Sequence, residues 1–158
     1  MNTMYPSDLT DAEWACLRRH LPAEIPRRRW PRHSLRRILD AIFYLLRTGC
    51  PWRFLPADFP PWQTVYYHFR RFRLTGVWHH LLAALRVAER RRIGKESQPS
   101  AAIMDAQSVK TVEESARISG YDGHKRIKGR KRHLLVDTLG LPLSISVTPA
   151  STHDTVGA

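Results

Sequence analysis

The sequence is poor in cysteine, in acidic residues and in long apolar runs. Its two cysteines, Cys16 and Cys50, do not have the spacing of a metal-binding motif, which indicates reduced thiols in a cytosolic protein. No apolar stretch is long enough to span a bilayer, and the N-terminus lacks the apolar core of a signal peptide. We therefore expect a protein that is neither inserted into a membrane nor exported.

The shortage of acidic residues leaves a strongly basic chain. Its 26 Lys and Arg residues outnumber 14 Asp and Glu residues, for a net charge of +12 and an isoelectric point near 10.6. Residues 1–99 contain 18 basic and 8 acidic residues, and residues 100–158 contain 8 and 6. This balance favours a polyanionic partner, nucleic acid before membrane. We expect a cytoplasmic, nucleoid-associated protein with its main positive charge in the first 99 residues.

The N-terminal part reads as a series of helices. Thr10 and Glu13 have the spacing of a capping box, which predicts a first helix. Ser34 is the expected N-cap of a second helix, which has a broad apolar face and ends at Gly49. Between these two helices lies the basic triplet at residues 27–29, which is either a phosphate-contacting arm or a solvated linker.

A proline-rich segment from Cys50 to Trp62 separates the second helix from the third. We expect three of its aromatic residues to plug the core rather than to stack on bases: Trp52, Phe54 and Phe59. A third helix is predicted over about Trp62 to Leu74, and a fourth from Val77 to about Arg92.

The third predicted helix has polar side chains near its start and arginines near its end. Such a helix suits the DNA major groove, because the polar groups reach base edges and the arginines hold phosphates. The alternative is an ordinary amphipathic helix with a basic solvent face. The DNA-binding candidates on this helix are Gln63, Thr64, Tyr67, His68, Arg70, Arg71 and Arg73. We expect an all-α, helix-turn-helix-like domain over residues 1–95, followed by a linker at 96–100.

Residues 101–149 have the pattern of three short strands. The first contains an acidic residue, Asp105, and alternation places it on one face with Ile103, Gln107 and Val109. Because a buried, unpaired carboxylate is costly, we expect Asp105 to face a polar site or to lie near a strand end. A solvated strand position is the alternative.

A basic run precedes the second predicted strand, and its members are Lys125, Arg126, Lys128, Arg130, Lys131 and Arg132. They are either phosphate contacts near Asp105 or a solvated run of charge. Asp122 and Asp137 are expected to form turns. Asp154 is better explained as a helix N-cap than as a metal ligand together with His153.

The strings MDAQSVKT, GYDGHKRIKGRKRHLLVDTLGLPL and ASTHD resemble the first part of the catalytic domain of bacterial insertion-sequence transposases of the DDE type. The strings TDAEW, CPWRFLP and WQTVYYHFRRFRLTGVW are similar to the helical N-terminal domain of the same family. The resemblance implies an α+β protein in which residues 101–158 form an incomplete ribonuclease-H-like domain with a three-strand sheet. It also implies that Asp105 is the first catalytic Asp and a metal ligand.

The family cleaves and joins DNA with two divalent ions, Mg²⁺ or Mn²⁺, held by two Asp and one Glu. Its second Asp and its Glu lie on segments later than Ala158, so the resemblance implies that this chain alone does not cleave DNA. The missing part could come from a second reading frame or a separate chain, or it could have been lost. We also expect residues 101–158 to be marginally stable alone.

Two functions follow from the resemblance. One is the N-terminal part of a transposase that binds the terminal repeats of its element and takes part in strand transfer. The other is a stand-alone DNA-binding protein that regulates or competes with the full enzyme. The expected partners are double-stranded DNA and either the remaining transposase segment or further copies of the chain.

Overall fold

The computed structural model describes residues 5–22, 33–111 and 118–154. The chain divides into two compact units, Met1–Leu81 and Leu82–Ala158. The predicted basic arm at residues 27–29 lies outside the described residues.

Four helices follow one another in the chain: α1 (Asp11–Arg18), α2 (Leu35–Thr48), α3 (Trp62–Leu74) and α4 (Val77–Arg92). The predicted caps are confirmed. The Thr10 hydroxyl accepts a hydrogen bond from the Glu13 N–H, and the Glu13 carboxylate accepts one from the Thr10 N–H at 2.8 Å. Ser34 caps α2, and Gly49 ends it in the left-handed conformation, which glycine adopts at little cost.

The core of the first unit is centred on α2. Leu39, Ala41 and Ile42 are fully buried there, together with Val65 of α3. The buried Asp40 carboxylate accepts a hydrogen bond from the N–H of Leu9 at 3.0 Å, so α2 holds the chain that leads into α1. Burial raises the pKa of the Asp40 carboxyl above its ordinary value, since a dry environment disfavours its charge.

The connection from α2 to α3 runs from Gly49 to Pro61 and contains a 3₁₀ turn at Trp52–Phe54. The sequence predicts a helix-turn-helix-like domain, but this connection is longer than the three- or four-residue turn of that motif. Four prolines punctuate this stretch, and they prevent a continuous helix.

The second unit contains a four-stranded antiparallel sheet: β1 (Ala102–Lys110), β2 (Gly120–Asp122), β3 (Ile127–Asp137) and β4 (Pro142–Pro149). Strand β3 pairs with all three others. The predicted order of helices followed by strands is confirmed, so the protein is α+β. The sheet has one strand more than the three predicted, because Gly120–Asp122 pairs with the start of β3.

Most of the predicted basic run lies within β3 rather than before it. Four of its residues lie within this strand, which pairs with other strands on both sides. Gly129 lies where β1 and β2 both meet β3, and a Cβ there would overlap the carbonyl of Val109. Glycine is required at this position because the backbones approach closely.

The division between the units falls within α4, before the predicted linker at 96–100. The end of α4 belongs to the sheet unit, where Arg90 forms a buried ion pair with Asp137. Arg86 donates a hydrogen bond to the carbonyl of Pro142 at 3.2 Å. No helix in the described ranges has the length and apolar character needed to cross a membrane.

Candidate nucleic-acid interface and carboxylate site

Helix α3 buries one face and exposes another. Val65 and Phe72 are buried in the core, with Phe69 packed beside them. The predicted DNA-binding residues are distributed around the rest of the helix surface. Those exposed are Gln63, Tyr67, Arg70 and Arg73, and those half-buried at its flanks are Thr64, His68 and Arg71.

The exposed face of α3 is cationic and carries no acidic residue. Within the ranges that the structure describes, the guanidinium groups of Arg70 and Arg73 form no salt bridge with a carboxylate. Within that part of the chain, an anionic ligand would therefore displace no carboxylate from these two arginines. The surface order is a polar Gln63 in the first turn and arginines in the later turns, as the sequence predicts.

The 3₁₀ turn is attached to α3 by aromatic contacts. The ring of Trp52 lies 5.1 Å from that of Tyr66 and 5.3 Å from that of Phe69. The guanidinium of Arg53 lies 5.9 Å from the ring centre of Trp62. These contacts fix the turn against α3.

The structure contradicts one of the three predicted core plugs in this turn. Trp52 packs against the core and Phe59 is buried, as expected, but the side chain of Phe54 is 76% exposed. The physical reason lies in the short 3₁₀ turn, because Trp52 at its start and Leu55 directly after it both pack against the core. Phe54 lies between these two anchors and is turned to solvent.

Asp105 lies in the middle of β1, opposite Leu134 of β3. Directly paired residues of an antiparallel sheet share a face, so the Asp105 carboxylate lies on the face that also carries Leu134. The predicted alternation is confirmed by this register, which places Ile103 and Gln107 on the same face. Asp105 is solvent-exposed. Its carboxylate is therefore accessible to a cation or a phosphate-bound ion.

The predicted basic run is divided by the geometry of β3. Lys128, Arg130 and Arg132 lie on the Asp105 face by their register, and Arg132 donates a hydrogen bond to the Gln107 side chain at 2.7 Å. Lys125 and Arg126 lie in the turn before β3. The Lys125 ammonium donates to the carbonyl of Ala106 at 3.2 Å.

Lys131 lies on the opposite face, where it is buried in a polar cluster. Its ammonium is 2.8 Å from the Asp154 carboxylate and 3.8 Å from that of Asp122, and it donates to the carbonyl of Thr152 at 2.8 Å. The structure thus separates Lys131 from the other basic side chains near Asp105. In the sequence it belongs to one basic run with its neighbours.

Asp122 forms the turn that the sequence predicts. Its carboxylate accepts hydrogen bonds from the Ser108 hydroxyl at 2.5 Å and from the N–H groups of His124 and Lys125. These donors, Ser108 first and then the Lys125 backbone, lower the pKa of Asp122 to about 2. A pocket of about 340 Å³ opens beside it, lined by Asp122, Lys131, Asp154 and the loop between them.

Asp137 also forms its predicted turn, accepting hydrogen bonds from the N–H groups of Leu139 and Leu141. Asp154 is bound to Lys131, and the residues of the helix that it was predicted to cap lie outside the described ones. Within residues 5–22, 33–111 and 118–154, no three or more His, Cys, Asp and Glu side chains are grouped as a metal site would require. In that part of the chain, Asp105 could supply one oxygen ligand to a divalent ion whose other ligands are water or phosphate.

Comparisons with known proteins agree across both units. A family model described as "Putative transposase of IS4/5 family" matches residues 9–82, and a model described as "Transposase DDE domain" matches residues 96–158. A protein of Sinorhizobium fredii (strain NBRC 101917 / NGR234), titled "Uncharacterized protein y4sN", is 32% identical over 77 residues. That match covers 49% of this chain and 62% of the relative. No solved structure matches the chain.

Proposed function

Because the chain belongs to the insertion-sequence transposases of the DDE type, we propose that it binds the ends of its element through α3. We further propose that Asp105 is a catalytic, metal-binding carboxylate of the cleavage and strand-transfer reactions. The observation that carries the first part is the outward face of α3, with a polar first turn and arginines that pair with no carboxylate in the described ranges.

The physical argument for DNA rests on the order of side chains along α3. Gln63 is a residue type that reads adenine through two hydrogen bonds in the major groove. Arg70 and Arg73 lie two to three turns further along, where they can neutralise phosphates and fix the register of the helix. The electrostatic part of this binding is independent of sequence, and only the Gln63 end contributes base preference.

The argument for Asp105 rests on exposure and ligand type. A carboxylate on an accessible strand face supplies the hard oxygen ligand that Mg²⁺ and Mn²⁺ prefer. Such an ion, when bound with DNA, lowers the pKa of the attacking water and stabilises the leaving oxygen. Lys128 and Arg132 share the Asp105 face and would hold a phosphate backbone against that carboxylate.

A second candidate is a DNA-binding protein that regulates or competes with a complete transposase. The observation that favours it is the placement of the whole α3 surface inside the compact unit Met1–Leu81. End recognition in that unit would not require the sheet or Asp105.

Salt-dependent binding tests the α3 proposal. The purified chain is titrated with the ends of its element and with random duplex across a salt series. Each phosphate contact should contribute about −0.9 to the slope of log affinity against log salt. Arg70→Ala should reduce this slope by about one contact and weaken both DNAs equally. Gln63→Ala should reduce the preference for the element ends by about 1–3 kcal/mol with the slope unchanged.

Arg92→Ala is the matched control, because Arg92 is an exposed arginine that pairs with Glu89 on α4. It should leave both affinity and slope unaltered. Equal effects of Arg70→Ala and Arg92→Ala, or no preference for the element ends in the unsubstituted chain, would remove α3 as the recognition element.

A further inference from the structure

Phe54 is the most exposed large apolar side chain in the described part of the chain, with 76% of its surface open. Its neighbours in the 3₁₀ turn do not share this exposure, since Trp52 and Leu55 both pack against the core of the first unit. A single exposed aromatic residue between two anchored ones is not explained by the packing of the unit. The side chain is free to contact something outside it.

The turn holds Phe54 in a defined position. The Phe54 N–H donates to the carbonyl of Pro51 at 2.8 Å, and the Leu55 N–H donates to that of Trp52 at 3.3 Å. Prolines 51 and 56 flank the turn and restrict its backbone. Because the backbone is already ordered, contact through Phe54 would cost little additional conformational entropy.

The surroundings of Phe54 are cationic. Arg53 precedes it, and no acidic residue occurs between Gly49 and Ala57. The nearest acidic residue along the chain, Asp58, accepts a hydrogen bond from the Tyr5 hydroxyl at 2.8 Å. Residues 1–81 hold 13 basic and 6 acidic residues, a net charge of +7. An aromatic residue surrounded by positive charge is suited to a polyanion that also offers apolar surfaces. DNA is such a polyanion, because its stacked bases lie between charged phosphates.

The Trp52 ring attaches this turn to Tyr66 and Phe69 of α3. Tyr66 is itself 41% exposed and lies one helical turn from Gln63 and from Arg70, so DNA held by the exposed face of α3 would lie next to the turn. We propose that Phe54 is an apolar wedge that inserts between adjacent base pairs of the DNA bound by α3, unstacking that step and bending the duplex. This inference rests on the proposed DNA binding by α3. Inserted apolar side chains kink DNA in this way in architectural proteins.

Fluorescence of 2-aminopurine tests the wedge. A short duplex carrying the element end, or a sequence selected by the chain from a random pool, is prepared with 2-aminopurine at successive positions. Binding of the unsubstituted chain should increase the fluorescence at one step, because the base there loses its stacking. Phe54→Ala should abolish this increase, reduce the bend measured by energy transfer between the duplex ends, and weaken affinity about tenfold.

Phe54→Leu is the conservative variant and should retain part of the unstacking signal, since a leucine can also act as a wedge. Leu139→Ala removes an exposed apolar side chain from the other unit and should change nothing. Because Phe54 is exposed, the circular dichroism and Tm of Phe54→Ala should match those of the unsubstituted chain. These controls separate a lost wedge from a lost fold.

The outcomes also separate this inference from the proposed function. If the chain binds DNA but Phe54→Ala retains full unstacking and bending, the wedge is wrong and end recognition by α3 stands. If Phe54→Ala changes self-association while its DNA binding is normal, the exposed ring is a protein contact and the wedge is likewise overturned. If the unsubstituted chain does not bind duplex DNA at all, the proposed function fails as well.

Discussion

Arg90 donates a hydrogen bond from Nη1 to Oδ2 of Asp137 at 2.5 Å, and both side chains are buried. The contact joins residues 47 positions apart and secures the end of α4 to the hairpin between β3 and β4. A buried ion pair is not in itself strong evidence for stability, but removal of one partner leaves an uncompensated charge.

Arg90→Ala should therefore destabilise the sheet unit, with a fall in Tm of about 5 °C or more. The control is Arg92→Ala, which breaks an exposed ion pair with Glu89 at 2.7 Å on the same helix. Exposed pairs contribute little, so that variant should melt within about 2 °C of the original chain. Thermal unfolding followed by circular dichroism gives the comparison, and equal losses would contradict the assigned role of Arg90.

The low pKa of Asp122 predicts an acid-sensitive sheet. Its carboxyl has a pKa of about 2 in the folded chain, chiefly because the Ser108 hydroxyl donates to it. The ordinary value near 3.8 applies when the chain is unfolded, so the folded state binds the proton more weakly. The stabilisation of the folded chain by ionised Asp122 is thus complete above about pH 4 and is lost as the pH falls towards 2.

Ser108→Ala should raise the pKa of Asp122 and shift this loss of stability to higher pH. The carboxyl titration can be followed by NMR, and the stability by urea unfolding at several pH values. Asp122→Asn should flatten the same part of the stability profile. If the pKa of Asp122 is unchanged in Ser108→Ala, the backbone N–H donors rather than the Ser108 hydroxyl lower that pKa.

Asp105→Asn should separate DNA binding from metal chemistry. The Asp105 carboxylate is exposed and accepts none of the side-chain hydrogen bonds described for the sheet, so its replacement should leave Tm and DNA affinity nearly unchanged. Any metal-dependent cleavage by this chain, alone or completed by a further transposase segment, should disappear. The expected loss exceeds about a hundredfold, because this carboxylate would hold the ion that activates the nucleophile.

Paramagnetic broadening by Mn²⁺ gives a readout of Asp105 that does not require activity. In the presence of DNA, amide signals around residue 105 should broaden in the original chain and remain sharp in Asp105→Asn. Gln107→Ala, on the same face of β1, is the neighbouring control and should keep the broadening. Broadening centred on Asp122 or Asp154 instead would move the metal site to the opposite face.

Local patterns in the sequence determined the helices. The Thr10–Glu13 capping box, the Ser34 N-cap and the left-handed Gly49 are contacts within a few residues of the chain, so their geometry follows from short-range sterics and hydrogen bonding. The alternation around Asp105 predicted its face for the same reason, since side chains along a strand have a period of two. Asp122 and Asp137 were likewise identifiable as turn residues.

Only the tertiary structure determined how side chains of similar type differ in their roles. Lys131 resembles Arg130 and Arg132 in sequence, but β3 places it on the opposite face, where Asp154 binds it. Phe54 is aromatic like Trp52 and Phe59 and was expected in the core with them, yet the 3₁₀ turn exposes it to solvent. The Arg90–Asp137 pair and the Ser108–Asp122 hydrogen bond depend on strand register and chain reversal. These are long-range relationships, and the sequence around any one residue does not encode them.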